Sequence, residues 1–293
     1  MSCKIPVIKP IGEDEMQSKI SAMPYYGGKS RPDMRDWLLP KIPYIKQGLY
    51  VEPFAGMLGV LLARPKTKLE IVNDLDSNIA NWWEVVREQP EELAWYIHNT
   101  TNCRQTFMKC FKGLKAGEFR DDKLKWAWAT YVSINYNVAH GTGVGGWAAH
   151  YTGGTGSKGK KLFAKYVQPM SDRLRHVMIE CRDALVILER VIDVENAVVY
   201  CDPPYFTADT TAYSMDAESL DLDKMKELFL AQKGKVAISG YGEEWDCLGW
   251  ERHEWKTRAY PLSDLEYHKK QDWSRVEVLW CNYKVGDSQL HLF

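Results

Sequence analysis

The residues best suited to chemistry in this sequence stand together at Val198-Val199-Tyr200-Cys201-Asp202-Pro203-Pro204-Tyr205. The apolar run reads as a buried strand. Two prolines then stop it, because proline lacks a backbone N–H and disfavours a helical residue before it. Asp202, Pro203, Pro204 and Tyr205 therefore offer a carboxylate acceptor, a stiffly held carbonyl and a stacking ring at the carboxyl end of a strand. A planar ring bearing an amino group needs these three to be held and activated. The plain alternative is a strand end followed by a turn.

A second constellation lies upstream. Val51-Glu52-Pro53-Phe54-Ala55-Gly56 reads as a strand leading into a tight turn, where glycine lets backbone approach a ligand. The next strand, Leu69 to Asp74, ends in that acid with Asp76 close behind it. An acid at the end of a second strand suits a ribose diol in a doubly wound sheet, or it serves the N-terminus of the following helix. There is one tight glycine turn and no dinucleotide fingerprint, so a nucleoside ligand without pyrophosphate fits better.

Other motifs fall away. Gly28-Lys29-Ser30 resembles the end of a phosphate loop, but the first glycine of that motif would fall on Met23 and no apolar strand precedes it. Gly141-Thr142-Gly143-Val144-Gly145-Gly146 matches a dinucleotide pattern by letters only. It follows a helical aromatic stretch, and a loop is the better reading. Cys201 lies inside a strand run, where a thiol is packing.

These residues need a sheet to position them. Strand, helix, strand, helix from Leu49 through Val86 implies parallel pairing with right-handed crossovers. Asp76-Ser77-Asn78 is placed to cap a helix running through Trp82, Trp83, Val85 and Val86. Gly59 to Arg64 reads as a helix start. From about Thr101 the pattern becomes helical, aromatic and basic; a glycine-rich loop spans Gly141 to Gly159, and one helix is expected over about Val167 to Arg190. Strand character returns at Ala197, followed by a polar loop from Thr207 to Ser219, a helix over Leu220 to Ala231, a strand over Lys235 to Tyr241 and a last strand over Val276 to Tyr283. The expected organisation is a sheet split in sequence, with a first part over 1–100, an inserted segment over 101–195 of the right size for a small recognition domain, and a second part over 196–293.

Composition bounds the function. The chain has 293 residues with 45% hydrophobic and 26% charged, ordinary for a soluble globular protein. A formal net charge of -1 excludes a uniformly basic coat but leaves room for a local cationic face. The seven cysteines form no C-x-x-C pair and the seven histidines show no ligand spacing, so reduced thiols and no metal site are expected. No stretch suits a membrane span, and the N-terminus lacks a signal-peptide core.

Four motifs in order carry a resemblance. Pro24-Tyr25-Tyr26-Gly27-Gly28-Lys29, Val51-Glu52-Pro53-Phe54-Ala55-Gly56, Asn73-Asp74-Leu75-Asp76 and Asp202-Pro203-Pro204-Tyr205 are similar to the motif series of the Dam-type (D12 class) DNA adenine-N6 methyltransferases. The closing Arg275 to Tyr283 resembles that family's final strand. The resemblance implies an α/β, Rossmann-like S-adenosylmethionine-dependent sheet with a mainly helical inserted recognition domain. It implies S-adenosyl-L-methionine as cofactor, held by Tyr25, Tyr26, Gly27, Gly28, Lys29, Glu52, Pro53, Phe54, Ala55, Gly56, Asp74, Asp76 and Asp202. It further implies double-stranded DNA as partner, a flipped adenine stacked on Tyr205, and Asp202 with the Pro203 carbonyl accepting from the amino group.

Three departures stand out. Leu58 occupies the place of a second turn glycine, with Gly59 displaced by one. Tyr25 replaces a tryptophan before Gly-Gly-Lys. Asn135-Tyr136-Asn137 stands where bacterial housekeeping members carry Asn-Arg and Asn-Gly. Phage or prophage origin is the reading, with a cytoplasmic location in a bacterial host and a monomer as the expected state, a dimer being the alternative.

With so little net charge, DNA affinity would come from local cations. The candidates are Lys112, Lys115, Arg120, Lys123 and Lys125; Lys158, Lys160, Lys161 and Lys165; and Arg173 with Arg175. The rivals are a cytosine-N4, RNA-adenine or protein-glutamine methyltransferase, a DNA-binding module without catalysis, and a nucleoside-binding protein without DNA.

Overall fold

The computed structural model describes residues 23, 28–137, 145–147, 155–204, 220–258 and 274–286. Within them the strands β1 (Leu49–Glu52), β2 (Leu69–Asn73), β3 (Val177–Glu180), β4 (Ala197–Cys201), β5 (Lys235–Tyr241), β6 (Glu251–Arg258) and β7 (Ser274–Cys281) form one sheet. Its order is β3-β2-β1-β4-β5-β7-β6. The first five strands are parallel, and β7 runs antiparallel between β5 and β6.

Every residue of β1 and β4 is buried. A parallel strand covered on both faces must be apolar along its whole length, which is why Ala197 to Cys201 has no alternation. The edge strand β6, Glu-Arg-His-Glu-Trp-Lys-Thr-Arg, alternates and carries charge, as an exposed edge requires.

The helices are α1 (Pro32–Leu38), α2 (Ser77–Glu88), α3 (Pro90–Asn99), α4 (Arg104–Ala116), α5 (Lys123–Asn135), α6 (Thr155–Leu174), α7 (Ala184–Val191) and α8 (Leu222–Ala231). Asp76 caps α2 as its sequence position predicts, its Oδ1 accepting from the Asn78 N–H at 2.9 Å. On one face of the sheet Leu188, Met225 and Phe229 from α7 and α8 pack on Val51, Val199 and Ile238. On the other, α2 to α6 build a larger core that includes Tyr50 and Val72.

Several expectations need correction. The stretch from Val167 to Arg190 is not one helix: α6 ends at Leu174, β3 follows, and α7 begins at Ala184. The chain thus returns to the sheet about twenty residues before Ala197, and β3 and α7, inside the 101–195 segment, are parts of the sheet layer. The helical stretch read from Gly59 to Arg64 is one 3-10 turn, Leu61–Ala63. Nor do α4 to α6 form a core of their own. Trp82 of α2 packs on Tyr131 of α5 and Phe163 of α6, at ring-centroid separations of 6.0 and 5.3 Å, inside the same cluster as Tyr50 of β1. Tyr25, Tyr26, Gly27 and Tyr205 lie outside the described residues, as do residues 141–144 of the glycine run and the expected loop over 207–219.

Candidate active site

The strand order reverses between β1 and β4, so their carboxyl ends open a crevice where an open α/β sheet takes its ligands. Glu52 ends β1 and Asp202 follows β4. Because β7 is antiparallel, its early residues also reach this edge, and Glu277 stands opposite Tyr241, the last residue of β5.

The turn after β1 is held from three sides. The Ala55 N–H donates to the Asn73 carbonyl at 2.8 Å, and the Gly56 N–H donates to Asp74 Oδ2 at 2.9 Å. Trp83 Nε1 of α2 donates to the Gly56 carbonyl at 2.8 Å. Gly56 adopts φ 47°, which glycine takes without penalty. Pro53 and Ala55 are buried, and the Phe54 ring packs against the α7–α8 core. The Asn73 amide donates to the Pro53 and Arg182 carbonyls, both at 2.9 Å, tying the ends of β1, β2 and β3 together.

Leu58 explains the family departure in the turn. It stands at φ 54°, where a glycine would be at ease, and its side chain is fully buried. The left-handed backbone costs roughly 1–2 kcal/mol; burying a leucine returns about 2–3 kcal/mol. Gly59 does the other task of a second glycine, close approach. A Cβ there would lie 2.9 Å from the Lys29 carbonyl carbon and 3.0 Å from the Ser30 nitrogen. The Gly28-Lys29-Ser30 backbone thus rests directly on the turn. Further along, Arg31 lies over the Trp255 ring of β6, which stacks on Trp37 of α1.

Lys29 joins the two constellations. Its backbone touches the turn, and its Nζ lies 2.8 Å from Asp202 Oδ1 and 3.0 Å from Glu277 Oε1. Burial works against its charge, but Asp202 and then Glu277 outweigh it and hold the ammonium above its ordinary value. Pro203 is buried and Pro204 half-buried. Burial pushes the Cys201 thiol well up, so it is an inert packing group.

Two further carboxyls are perturbed. Burial raises Glu52 to about 7, against the hydrogen bond it accepts from the Tyr50 hydroxyl at 2.7 Å; the Asp202 charge adds to the rise. Burial, reinforced by Asp76, raises Asp74 to about 7. Both Asp74 oxygens already accept backbone N–H bonds, from Gly56 and from Asp76. Asp74 therefore braces the turn, and a carboxylate has acceptor sites left for a diol. Asp76 Oδ1 is engaged at the α2 N-terminus by both the backbone and the side chain of Asn78.

The structure brings Lys29, Asp202, Gly56 and Asp74 to one edge of the sheet and sets Glu277 beside Lys29. The only trace of Glu277 in the sequence is an acid inside the apolar run Val276-Glu277-Val278-Leu279. Among the basic candidates, Arg173 drops out. It is buried in a bidentate pair with Glu70, with Nη2 to Oε1 at 2.8 Å, and also donates to the Leu61 carbonyl. Lys123, Lys125 and Arg175 pair with Glu84, Asp122 and Asp172, and Lys160 donates to the Thr100 carbonyl.

The sheet is a doubly wound α/β arrangement with a glycine turn, an acid after β2 and a carboxylate after β4 at its switch point, the layout of a ligand-binding α/β fold. The model of the D12 class N6 adenine-specific DNA methyltransferases matches residues 25–248. The chain belongs to that family, and is therefore an enzyme that methylates adenine N6 in DNA. No curated protein matches the chain. Among solved structures it is similar to the rRNA methyltransferase aviRa from Streptomyces viridochromogenes, at 11% identity over 94% of this chain and 96% of that one, with a TM-score of 0.34. No helix among the described residues is long and apolar enough to cross a membrane.

Proposed function

We propose that this enzyme uses S-adenosylmethionine to methylate N6 of an adenine flipped out of double-stranded DNA at a specific sequence. One observation carries the reading: Lys29 rests its backbone on the glycine turn at Gly59 and its ammonium on Asp202. That contact supports a cofactor position at the turn close to an acceptor for the base. The donor set fits this cofactor. Asp74 beside the turn suits a ribose and Asp202, the more open carboxylate, suits a cation, whereas a pyrophosphate would meet carboxylates.

The bound cofactor would supply a methyl group activated on a positively charged sulfur. The backbone around Gly56 would pass beneath it, with Asp74 toward the ribose and the Tyr26-to-Lys29 segment toward the methionine portion. The target base must leave the stack, since its amino group is out of reach inside a duplex. Asp202 and the Pro203 carbonyl would accept hydrogen bonds from that amino group, and Tyr205 would stack on the ring. The N6 lone pair is delocalised into the purine. Two fixed acceptors draw the nitrogen toward tetrahedral geometry and stabilise the charge it gains. Helices α4 to α6 and the residues between them would contact the DNA and read its sequence.

Replacing Asp202 with Asn keeps the shape and removes the charge. Asp202→Asn should bind S-adenosylhomocysteine and DNA within a few-fold of wild type and lose methyl transfer by about a thousandfold, the scale of removing one preorganised group. Turnover near the wild-type rate would overturn the role of Asp202.

A further inference from the structure

The acid on the ribose side of the turn is reached by a chain of hydrogen bonds that starts beyond the first hundred residues. Trp126, near the start of α5, donates its indole Nε1–H to Asn78 Oδ1 at 2.7 Å. Asn78 turns its other end to Asp76: its backbone N–H and its Nδ2 both donate to Asp76 Oδ1, at 2.9 and 2.7 Å. The Asp76 N–H donates to Asp74 Oδ1 at 2.9 Å, and Asp74 Oδ2 accepts from the Gly56 N–H of the turn.

The chain has a direction. An indole nitrogen only donates and a carboxylate only accepts, whereas an amide has one end of each kind. Asn78 stands between the two. With Oδ1 toward Trp126 and Nδ2 toward Asp76, both contacts are made. Turned over, the amide would set N–H against N–H on one side and oxygen against oxygen on the other. The indole therefore locks the amide with its donor end on Asp76. The start of α5 is itself fastened along α2, where Asn81 Nδ2 donates to the Lys123 carbonyl at 3.1 Å and Lys123 pairs with Glu84 at 2.6 Å.

We infer that Trp126 is a positioning residue for the cofactor: through Asn78 it fixes the loop that carries Asp76 and Asp74, and so the acceptor offered to the ribose hydroxyls. The inference rests on the reading of Asp74 as the ribose acceptor. It gives a residue of α5 a part in cofactor binding. The nitrogen, and not the bulk of the ring, does this. Trp126→Phe keeps an aromatic face for the Arg120 guanidinium, which lies 5.9 Å from the Trp126 ring centroid, and removes only the donor.

Calorimetric titration of wild type, Trp126→Phe, Asn78→Ala and the double variant, each with S-adenosylhomocysteine and with its 2′,3′-dideoxy analogue, tests this. Wild type should prefer the ligand with the diol by at least about tenfold. In Trp126→Phe that preference should shrink about fivefold, the scale of one hydrogen bond. The shrinkage should come from weaker S-adenosylhomocysteine binding, with the dideoxy analogue held within about twofold of wild type. Asn78→Ala should reproduce the loss, and the double variant should add no more than about twofold to it, because both changes act through one amide. A role in packing or in capping α2 alone would weaken both ligands alike. Parallel weakening, an unchanged preference in Trp126→Phe, or losses that multiply in the double variant overturns the inference. Should Trp126→Phe fail to fold, Asn78→Ala decides, and an unchanged preference there overturns it. Wild type binding both ligands equally would remove the ribose reading of Asp74, and wild type binding neither would remove the cofactor reading; this inference falls with each.

Discussion

Glu52 is a buried acid held near neutrality, and its titration is coupled to stability. Its ordinary value is 4.5; in the folded chain it stands at about 7. Between those values the folded state keeps a proton that the unfolded state has released, so stability falls as pH rises through that window. The displacement corresponds to on the order of 3 kcal/mol. Asp74, raised to about 7 from 3.8, acts in the same direction. Glu52→Gln keeps an acceptor for the Tyr50 hydroxyl and cannot ionise. Melting temperatures of the ligand-free protein between pH 5 and pH 8 should fall by roughly 5–10 °C more in wild type than in Glu52→Gln. Parallel curves would contradict the shift. At this scale the sequence is legible where a residue type is stereochemically demanded: Gly56 by its turn, and Asp202 by the prolines behind it. Glu277 is not, because a lone acid in an alternating strand reads equally well as a solvent-facing position, and only the sheet register brings it to Lys29.

Among the elements, the stretch over 28–30 is positioned by contact with the turn rather than by secondary structure of its own. The contact exists because residue 59 has no side chain. Gly59→Ala puts a methyl 2.9 Å from the Lys29 backbone carbon, and backbone must move to admit it. Lys29 would then shift off Asp202 and Glu277. The variant should lose S-adenosylmethionine affinity by at least about tenfold at a stability cost of about 1–3 kcal/mol. Wild-type affinity on titration would show that the contact does not position Lys29. The central strands β1, β2, β4 and β5 are legible as apolar runs because they are covered on both faces. The edge strands are harder. β3 has four residues, one of them the exposed Met178, between two helices, and it merges with them into one apparent helical stretch. β6 carries charged and polar residues at most positions and has no apolar run to detect.

At the scale of the whole molecule, the described strands form one sheet, and the larger core on it is built by helices from both the first hundred residues and the segment after them. Trp82, Tyr131 and Phe163 meet in that layer, so α5 and α6 pack against the same core as α2. Composition marks the segment as helical and aromatic but does not say against what its aromatics pack. A net charge of -1 agrees with that layout: many cations are spent on internal pairs, Arg173 most completely, and DNA contacts must come from a local set. The most direct test of the account supplies wild-type enzyme with S-adenosylmethionine labelled in the methyl group and duplex DNA, then digests the DNA to nucleosides. The label should appear in N6-methyldeoxyadenosine and grow with time. Label confined to N4-methyldeoxycytidine, or no label in DNA under conditions where the cofactor binds, would contradict it.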